Sequence, residues 1–181
     1  MRIITGKHRG RKIISPTHQG VRPTTDRVKE NLFNIIREYI PESTCLDLFA
    51  GTGGLGFECI SRGAEKVYFV DSNKDSIKNI QQTAKTLGEK PYIILSDYNI
   101  ALKNFQNQGV KFDVIFIDPP YQSMLAEFAI NKIGEFDLLK DGGIIVWESL
   151  VTLKKPENYD CKYEHIDKRV YGEVSVDIYT K

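Results

Sequence analysis

The sequence predicts an α/β fold: a seven-stranded, mostly parallel sheet covered by helices, with a C-terminal antiparallel hairpin and a small N-terminal β-hairpin and helix. Three observations carry this. From Thr44 onward, compact apolar runs alternate with segments of helical periodicity. The run Phe112–Ile117 is nearly continuous in its hydrophobicity, as a strand buried on both faces requires. Near the end, two strand-like runs are separated only by Tyr171-Gly172-Glu173, too short a link for anything but an antiparallel hairpin.

Taken in order, Arg2–Thr5 and Lys12–Ser15 read as short strands around a basic loop, Gly6-Lys7-His8-Arg9-Gly10-Arg11. Pro16 to Pro23 is a turn-rich connection, and Thr24 or Thr25 can cap the next helix through its hydroxyl. Val28, Leu32, Ile35, Ile36 and Tyr39 follow at helical spacing until Pro41 ends the element. Strands are then expected at Thr44–Phe49, Lys66–Val70, Tyr92–Leu95, Phe112–Ile117 and Gly143–Glu148. The helices between them run to about Arg62, from Asn73 to Leu87, near Ile100–Gln106 and over Met124–Phe136. Tyr163–Val170 and Val174–Thr180 form the closing hairpin.

The chain of 181 residues has the length of one ordinary domain, divided as an extension over residues 1–40 and a core over residues 41–181. No run approaches the roughly 20 apolar residues of a membrane span, and the N-terminus lacks the apolar stretch of a signal peptide. Cys45, Cys59 and Cys161 are odd in number and form no CxxC pair, which argues against a disulfide framework and a zinc site. A cytoplasmic protein without a metal is expected, and nothing calls for more than a monomer. The net charge of +1 conceals an asymmetry: residues 1–29 carry eight Lys or Arg against one acid, leaving an arm of +7 on a body of −6. Such a block suits a polyanion, and equally a solvated face.

Leu46-Asp47-Leu48-Phe49-Ala50-Gly51-Thr52-Gly53-Gly54-Leu55-Gly56 places glycines at the first, third and sixth positions of a GxGxxG between strand and helix. Such a loop lets backbone approach a ligand closely and serves several nucleoside cofactors. Asp47 favours one without phosphate: a carboxylate there would face a pyrophosphate, but it suits the ammonium and sulfonium of S-adenosylmethionine. Asp71, twenty residues after Gly51, can accept from ribose hydroxyls, with Ser72 beside it. Asp97 can accept from the adenine amine with Tyr98 beside the ring, and equally suits a helix N-cap. Phe49, Ala50, Thr52 and Gly53 complete the expected cofactor set.

Asp118-Pro119-Pro120-Tyr121 follows the fourth strand, on the same edge as the glycine loop. An exocyclic amine on a nucleobase is a poor nucleophile because its lone pair is delocalised into the ring. The Asp118 carboxylate and the Pro119 carbonyl can accept its two N–H bonds, while Pro119 and Pro120 restrict the backbone. Tyr121 can stack on a base taken out of its helix. The pairing of this tetrapeptide with a glycine loop at this spacing points to amino methylation. His8 and His18 read as solvated or phosphate-facing; His165 has no acid that the sequence places near it, and Trp147 with its neighbours reads as core.

These residues resemble the RsmD family of bacterial small-subunit ribosomal RNA guanine-N2 methyltransferases. The resemblance lies in Arg2-Ile3-Ile4-Thr5-Gly6, Arg9-Gly10-Arg11-Lys12 and Arg22-Pro23-Thr24-Thr25-Asp26-Arg27-Val28-Lys29-Glu30, and in the glycine loop, Ser61-Arg62-Gly63, Asp118–Tyr121 and Tyr171-Gly172. It implies a Rossmann-like, class I S-adenosylmethionine-dependent methyltransferase acting on N2 of one guanine of 16S ribosomal RNA, in the small subunit or an assembly intermediate. It implies Asp47, Gly51, Gly53, Asp71, Asp97 and Asp118 as the cofactor and catalytic set. RNA contacts are expected from Lys7, Arg9, Arg11, Lys12, Arg22, Thr24 and Arg27. Fewer than thirty residues separate Tyr121 from the end of the fifth strand, so no inserted domain reads a DNA sequence; folded RNA with a protruding base fits better. Residue chemistry alone leaves an adenine-N6 methyltransferase open. A NAD(P)-binding oxidoreductase is opposed by Asp47 and the Asp118 segment, and a non-catalytic RNA-binding protein by the intact Asp118–Tyr121 set.

Overall fold

The computed structural model describes residues 1–14, 26–119, 124–153 and 162–181. Seven strands form one sheet in the order β3-β2-β1-β4-β5-β7-β6. Strands β1 (Thr44–Asp47), β2 (Lys66–Asp71), β3 (Tyr92–Leu95), β4 (Phe112–Ile117) and β5 (Leu139–Leu150) are parallel; β7 (Val174–Thr180) runs antiparallel to β5 and to β6 (Glu164–Tyr171). The described helices are α1 (Asp26–Ile35), α2 (Gly54–Ser61), α3 (Lys74–Leu87), α4 (Tyr98–Gln108) and α5 (Leu125–Glu135). None is long and apolar enough to cross a membrane.

The order of the strands positions the site. The chain passes from β1 outward to β2 and β3, then returns across β1 to continue with β4 on its other side. The connections leaving β1 and β4 therefore diverge, and a crevice opens at the carboxyl ends of these two neighbours. Both expected motifs leave the sheet there.

Alternation along the central strands builds two apolar layers. Cys45, Val114, Phe116, Ile144 and Val146 face one side with Ile3, Ile13, Leu32, Phe33 and Phe57; Leu46, Ile115, Ile117, Ile145 and Trp147 face the other with Phe105, Ile130 and Ile133. The first layer contains the N-terminal arm, so residues 1–14 and α1 share a core with the sheet.

Several boundaries differ from expectation, among them the end of β1, which stops at Asp47 rather than Phe49 as the chain turns into the glycine loop. The N-terminal hairpin reduces to one bridge, Arg2 to Lys12, because the Ile4 and Thr5 amides donate to the Glu58 carboxylate at 2.9 and 3.0 Å instead of to a partner strand. Ser15 lies outside the described residues, as do Thr24 and Thr25, either of which was expected to cap α1. Helix α1 stops at Ile35 and tightens into a single 3-10 turn at Arg37–Tyr39. Strand β5 begins at Leu139 rather than Gly143, since Leu139 pairs with Phe112 before an irregularity in the ladder. It extends to Leu150 because β7 offers Val174 opposite that residue.

Candidate active site

Beyond β1, the chain turns through Phe49-Ala50-Gly51-Thr52-Gly53 into α2. Gly53 holds the left-handed conformation, φ 77°, that starts the helix, and offers no side chain to cap it. Gly56 packs against β2 so closely that an added Cβ would lie 2.2 Å from Phe69 Cε1. Asp47 supplies the missing cap from below: its Oδ2 accepts from the Gly56 amide at 3.0 Å. This carboxyl is only 3% exposed. Burial pushes it up to about 7, with Asp71 adding to the rise and the Gly56 amide opposing it.

Asp71 ends β2 and spans two loops, Oδ2 accepting from Gly51 N and Oδ1 from Asn73 N, each at 2.7 Å. Ser72 beside it is exposed. Asp97 is the N-cap of α4 and accepts from Asn99 N at 2.9 Å. Of the two uses the sequence left open for it, the cap is present. Tyr98 packs against Phe49 with ring centroids 5.4 Å apart, giving the glycine loop an aromatic flank. Ala50 and Thr52 are buried, and the Thr52 hydroxyl donates to Met1 Sδ at 3.3 Å, which brings the arm's first residue onto the loop.

Asp118 follows the last residue of β4 and is half-buried, and Pro119 is buried. Burial lifts the Asp118 carboxyl well above the usual range, reinforced by Glu148 and then Asp47. Pro120 and Tyr121 lie outside the described residues. Register explains why these three acids meet. Asp47 pairs with Phe116, and Phe116 with Val146. Asp118 and Glu148 are each two residues further along, so all three belong to the same side of the sheet at its carboxyl edge. Glu148, 2% exposed, escaped sequence reasoning, which placed the neighbours of Trp147 in the core. The available signal was an apolar strand closing on an acid at the height of Asp118.

The basic arm is more divided than its charge suggests. Lys29 is buried, donating to the Arg2 carbonyl at 2.6 Å with Glu58 Oε2 at 3.7 Å. Arg2 pairs with Asp26 and Lys7 with Glu89, each at 2.8 Å. Arg9, Arg11, Lys12 and Arg27 are exposed and form no ion pair among the described residues; Arg22 and Thr24 lie outside them. The arm runs parallel to α2: Met1 meets its first residues, Glu58 holds Ile4 and Thr5, and Lys7 N donates to Ser61 O at 2.9 Å. Its basic tip therefore sits at the amino edge of the sheet, a helix length (about 12 Å) from the glycine loop. Gly6 permits that docking, with φ 86° and a Cβ position 1.8 Å from Ser61 O that no side chain could occupy.

Two histidines have acidic partners that the sequence did not assign. His8 Nε2 meets Glu89 at 2.5 Å, so it is neither solvated nor free for phosphate; His165 Nε2 meets Asp177 at 3.0 Å across the terminal hairpin. No metal-binding cluster occurs among the described residues.

A family model described as "Conserved hypothetical protein 95" matches residues 1–180. The "Ribosomal RNA small subunit methyltransferase D" of Haemophilus influenzae is 42% identical over 187 residues, covering 99% of this chain and 93% of that protein. A solved hypothetical protein of Thermus thermophilus superposes with TM-score 0.86 at 26% identity, covering 100% of this chain and 99% of the other. The 16S rRNA N2 methyltransferase RsmC of Thermus thermophilus, solved with AdoMet and guanosine, shares the fold: TM-score 0.73 at 22% identity, over 91% of this chain and 44% of that one. The sheet order, the glycine loop and the acids at the carboxyl edge are thus set in a Rossmann-like methyltransferase fold. With a family match along nearly its whole length, the chain belongs to the RsmD family of small-subunit ribosomal RNA methyltransferases.

Proposed function

We propose that the chain transfers a methyl group from S-adenosylmethionine to the exocyclic N2 amine of a guanine in 16S ribosomal RNA, as a single-domain enzyme acting in the cytoplasm during small-subunit assembly. The observation that carries this reading is the meeting of Asp118-Pro119, at the end of β4, with the glycine loop at the end of β1. The name of the Haemophilus relative supports the RNA substrate. The guanosine and AdoMet held by RsmC, on the same fold, support base and donor.

The residues present fit that cofactor. Asp47 and Asp118 are acids drawn out of water beside other acids, a setting that favours a positively charged ligand. S-adenosylmethionine supplies an electrophilic methyl group on a sulfonium. Asp47 would take its ammonium, Asp71 the ribose hydroxyls, and Asp97 with Tyr98 and Phe49 the adenine; Ala50, Gly51, Thr52, Gly53 and Ser72 line the backbone path between them. The Asp118 carboxylate and the Pro119 carbonyl accept the two N–H bonds of the target amine and let its nitrogen become tetrahedral. Tyr121 stacks on the extruded base. Arg9, Arg11, Lys12 and Arg27, with Arg22 and Thr24, hold RNA phosphates.

The test is transfer of labelled methyl from S-adenosylmethionine to small subunits from cells lacking the gene, followed by nucleoside analysis. N2-methylguanosine at one position is expected, and its loss with Asp118→Ala while cofactor affinity stays within a few-fold. N6-methyladenosine would overturn the choice of base, and full activity of Asp118→Ala the acceptor role.

A further inference from the structure

Glu148 is buried at the carboxyl end of β5, yet the residues around it belong to a strand whose preceding five positions, Gly143 to Trp147, carry no charge. We propose that Glu148 is a positioning residue for methyl transfer, forming with Asp118 a carboxylate pair that receives the proton leaving the target amine. This rests on the reading of Asp118 as the acceptor for that amine.

Placement comes first. Ile117 pairs with Trp147 in the parallel ladder, and the next residues along the chain are Asp118, just past the end of β4, and Glu148 on β5, so the register carries the two acids to one face. Asp118 keeps partial exposure whereas Glu148 is 2% exposed. Asp118 is thus the member that meets substrate, and Glu148 acts through it. Among the described residues the other charged group facing Asp118 is Asp47, and Asp71 in turn faces Asp47.

The reaction supplies the need. As the bond from nitrogen to the methyl forms, the bond from sulfur to that methyl breaks and its electron pair stays on sulfur. The amine nitrogen then carries one hydrogen too many for a neutral product. That proton passes to the Asp118 carboxylate. A lone exposed aspartate is too weak a base to hold it near neutral pH, but a carboxylate beside a second buried carboxylate holds one proton between the two. The neighbouring charge of Glu148 acts in the direction that raises Asp118.

The test is the pH profile of methyl transfer by the full-length protein with small subunits as substrate. Activity needs ionised Asp118, so kcat falls on the acid side. Glu148→Gln removes the neighbouring charge while keeping shape. The acid limb is expected to move down by about one to two pH units and kcat near neutrality to fall about tenfold or more, with the KM for S-adenosylmethionine within about twofold. Glu148→Asp should restore the limb towards its wild-type position. A rate loss without movement of the limb, or an unchanged profile, overturns the proposal. Inactivity of Asp118→Asn alongside an unaltered Glu148→Gln profile would sink Glu148 alone and leave the reading of Asp118 standing. If Glu148→Gln fails to fold, Glu148→Ala removes the same charge with a smaller side chain and carries the same test: an acid limb that stays in place overturns the proposal.

Discussion

Glu58 within helix α2 and Asp47 beneath its first turn are both buried carboxylates, and the protein treats them in opposite ways. Glu58 is fully buried and accepts from Ile4 N, Thr5 N and Arg62 Nε at 2.9–3.0 Å, with the Lys29 ammonium at 3.7 Å. Its charge is answered from within the chain. Asp47 takes one hydrogen bond, from Gly56, and its nearest charged neighbours are the acids Asp71 and Asp118. One carboxylate is spent on architecture and fixes the arm to the sheet. The other is left to a ligand, and its raised pKa follows from a site built for positive charge.

Removing Glu58 should break the architectural side of this contrast and have the largest effect on stability. Glu58→Ala leaves Lys29 buried without its counter-ion and frees two arm amides, which predicts a loss of about 3–5 kcal/mol in urea unfolding. Faster proteolysis within residues 1–14 should accompany it. Wild-type stability would show that the arm docks through Ile3 and Ile13 alone.

Asp47→Asn should have the opposite sign. The folded pKa of Asp47 is raised from 3.8 to about 7, so its stabilising contribution is complete below about pH 4 and drains away as pH rises through 7. Asparagine cannot ionise and escapes that loss. The variant should therefore gain on the wild type by about 2–3 kcal/mol between pH 5 and pH 8 in unfolding measured without cofactor, while binding S-adenosylmethionine more weakly. Parallel stability curves would mean that Asp47 is not strained by its burial.

The smallest effect concerns the far end of the arm. Arg9→Ala with Arg11→Ala should lower the slope of log affinity for RNA against log salt by about 1–2, at about 0.7–0.9 per phosphate contact. Folding should be untouched, since both residues are exposed. An unaltered slope would confine RNA contact to the crevice and make the arm a purely structural element.

Much of this was legible in order along the chain. The strand positions from Thr44 to Ile117 follow from apolar runs that must be buried on both faces, and the hairpin after Tyr163 follows from the brevity of its turn. Asp47, Asp71 and Asp97 each stand at the end of a strand or the start of a helix, where local pattern alone places them. Glu58 and Lys29 were harder, because the partners that tie them to the arm and to each other lie 27 to 54 residues away. A lone acid in the apolar stretch Gly54–Ser61 was the available sign. Counting Lys29 in the arm's charge overstated what a polyanion could meet.

The sequence by itself determined the alternation of strands and helices, the glycine turn with its acids, and the presence of a basic arm, since periodicity and turn chemistry are local properties. Only the tertiary structure decided which acids share a face, because register between β1, β4 and β5 brings Asp47, Asp118 and Glu148 together from positions far apart in the chain. It also decided where the arm's charge goes: Glu58 draws the chain along α2, buries Lys29 and leaves Arg9 and Arg11 in solvent. Burial and like charge shift an acid only once distant strands have packed beside it, and no local pattern records that.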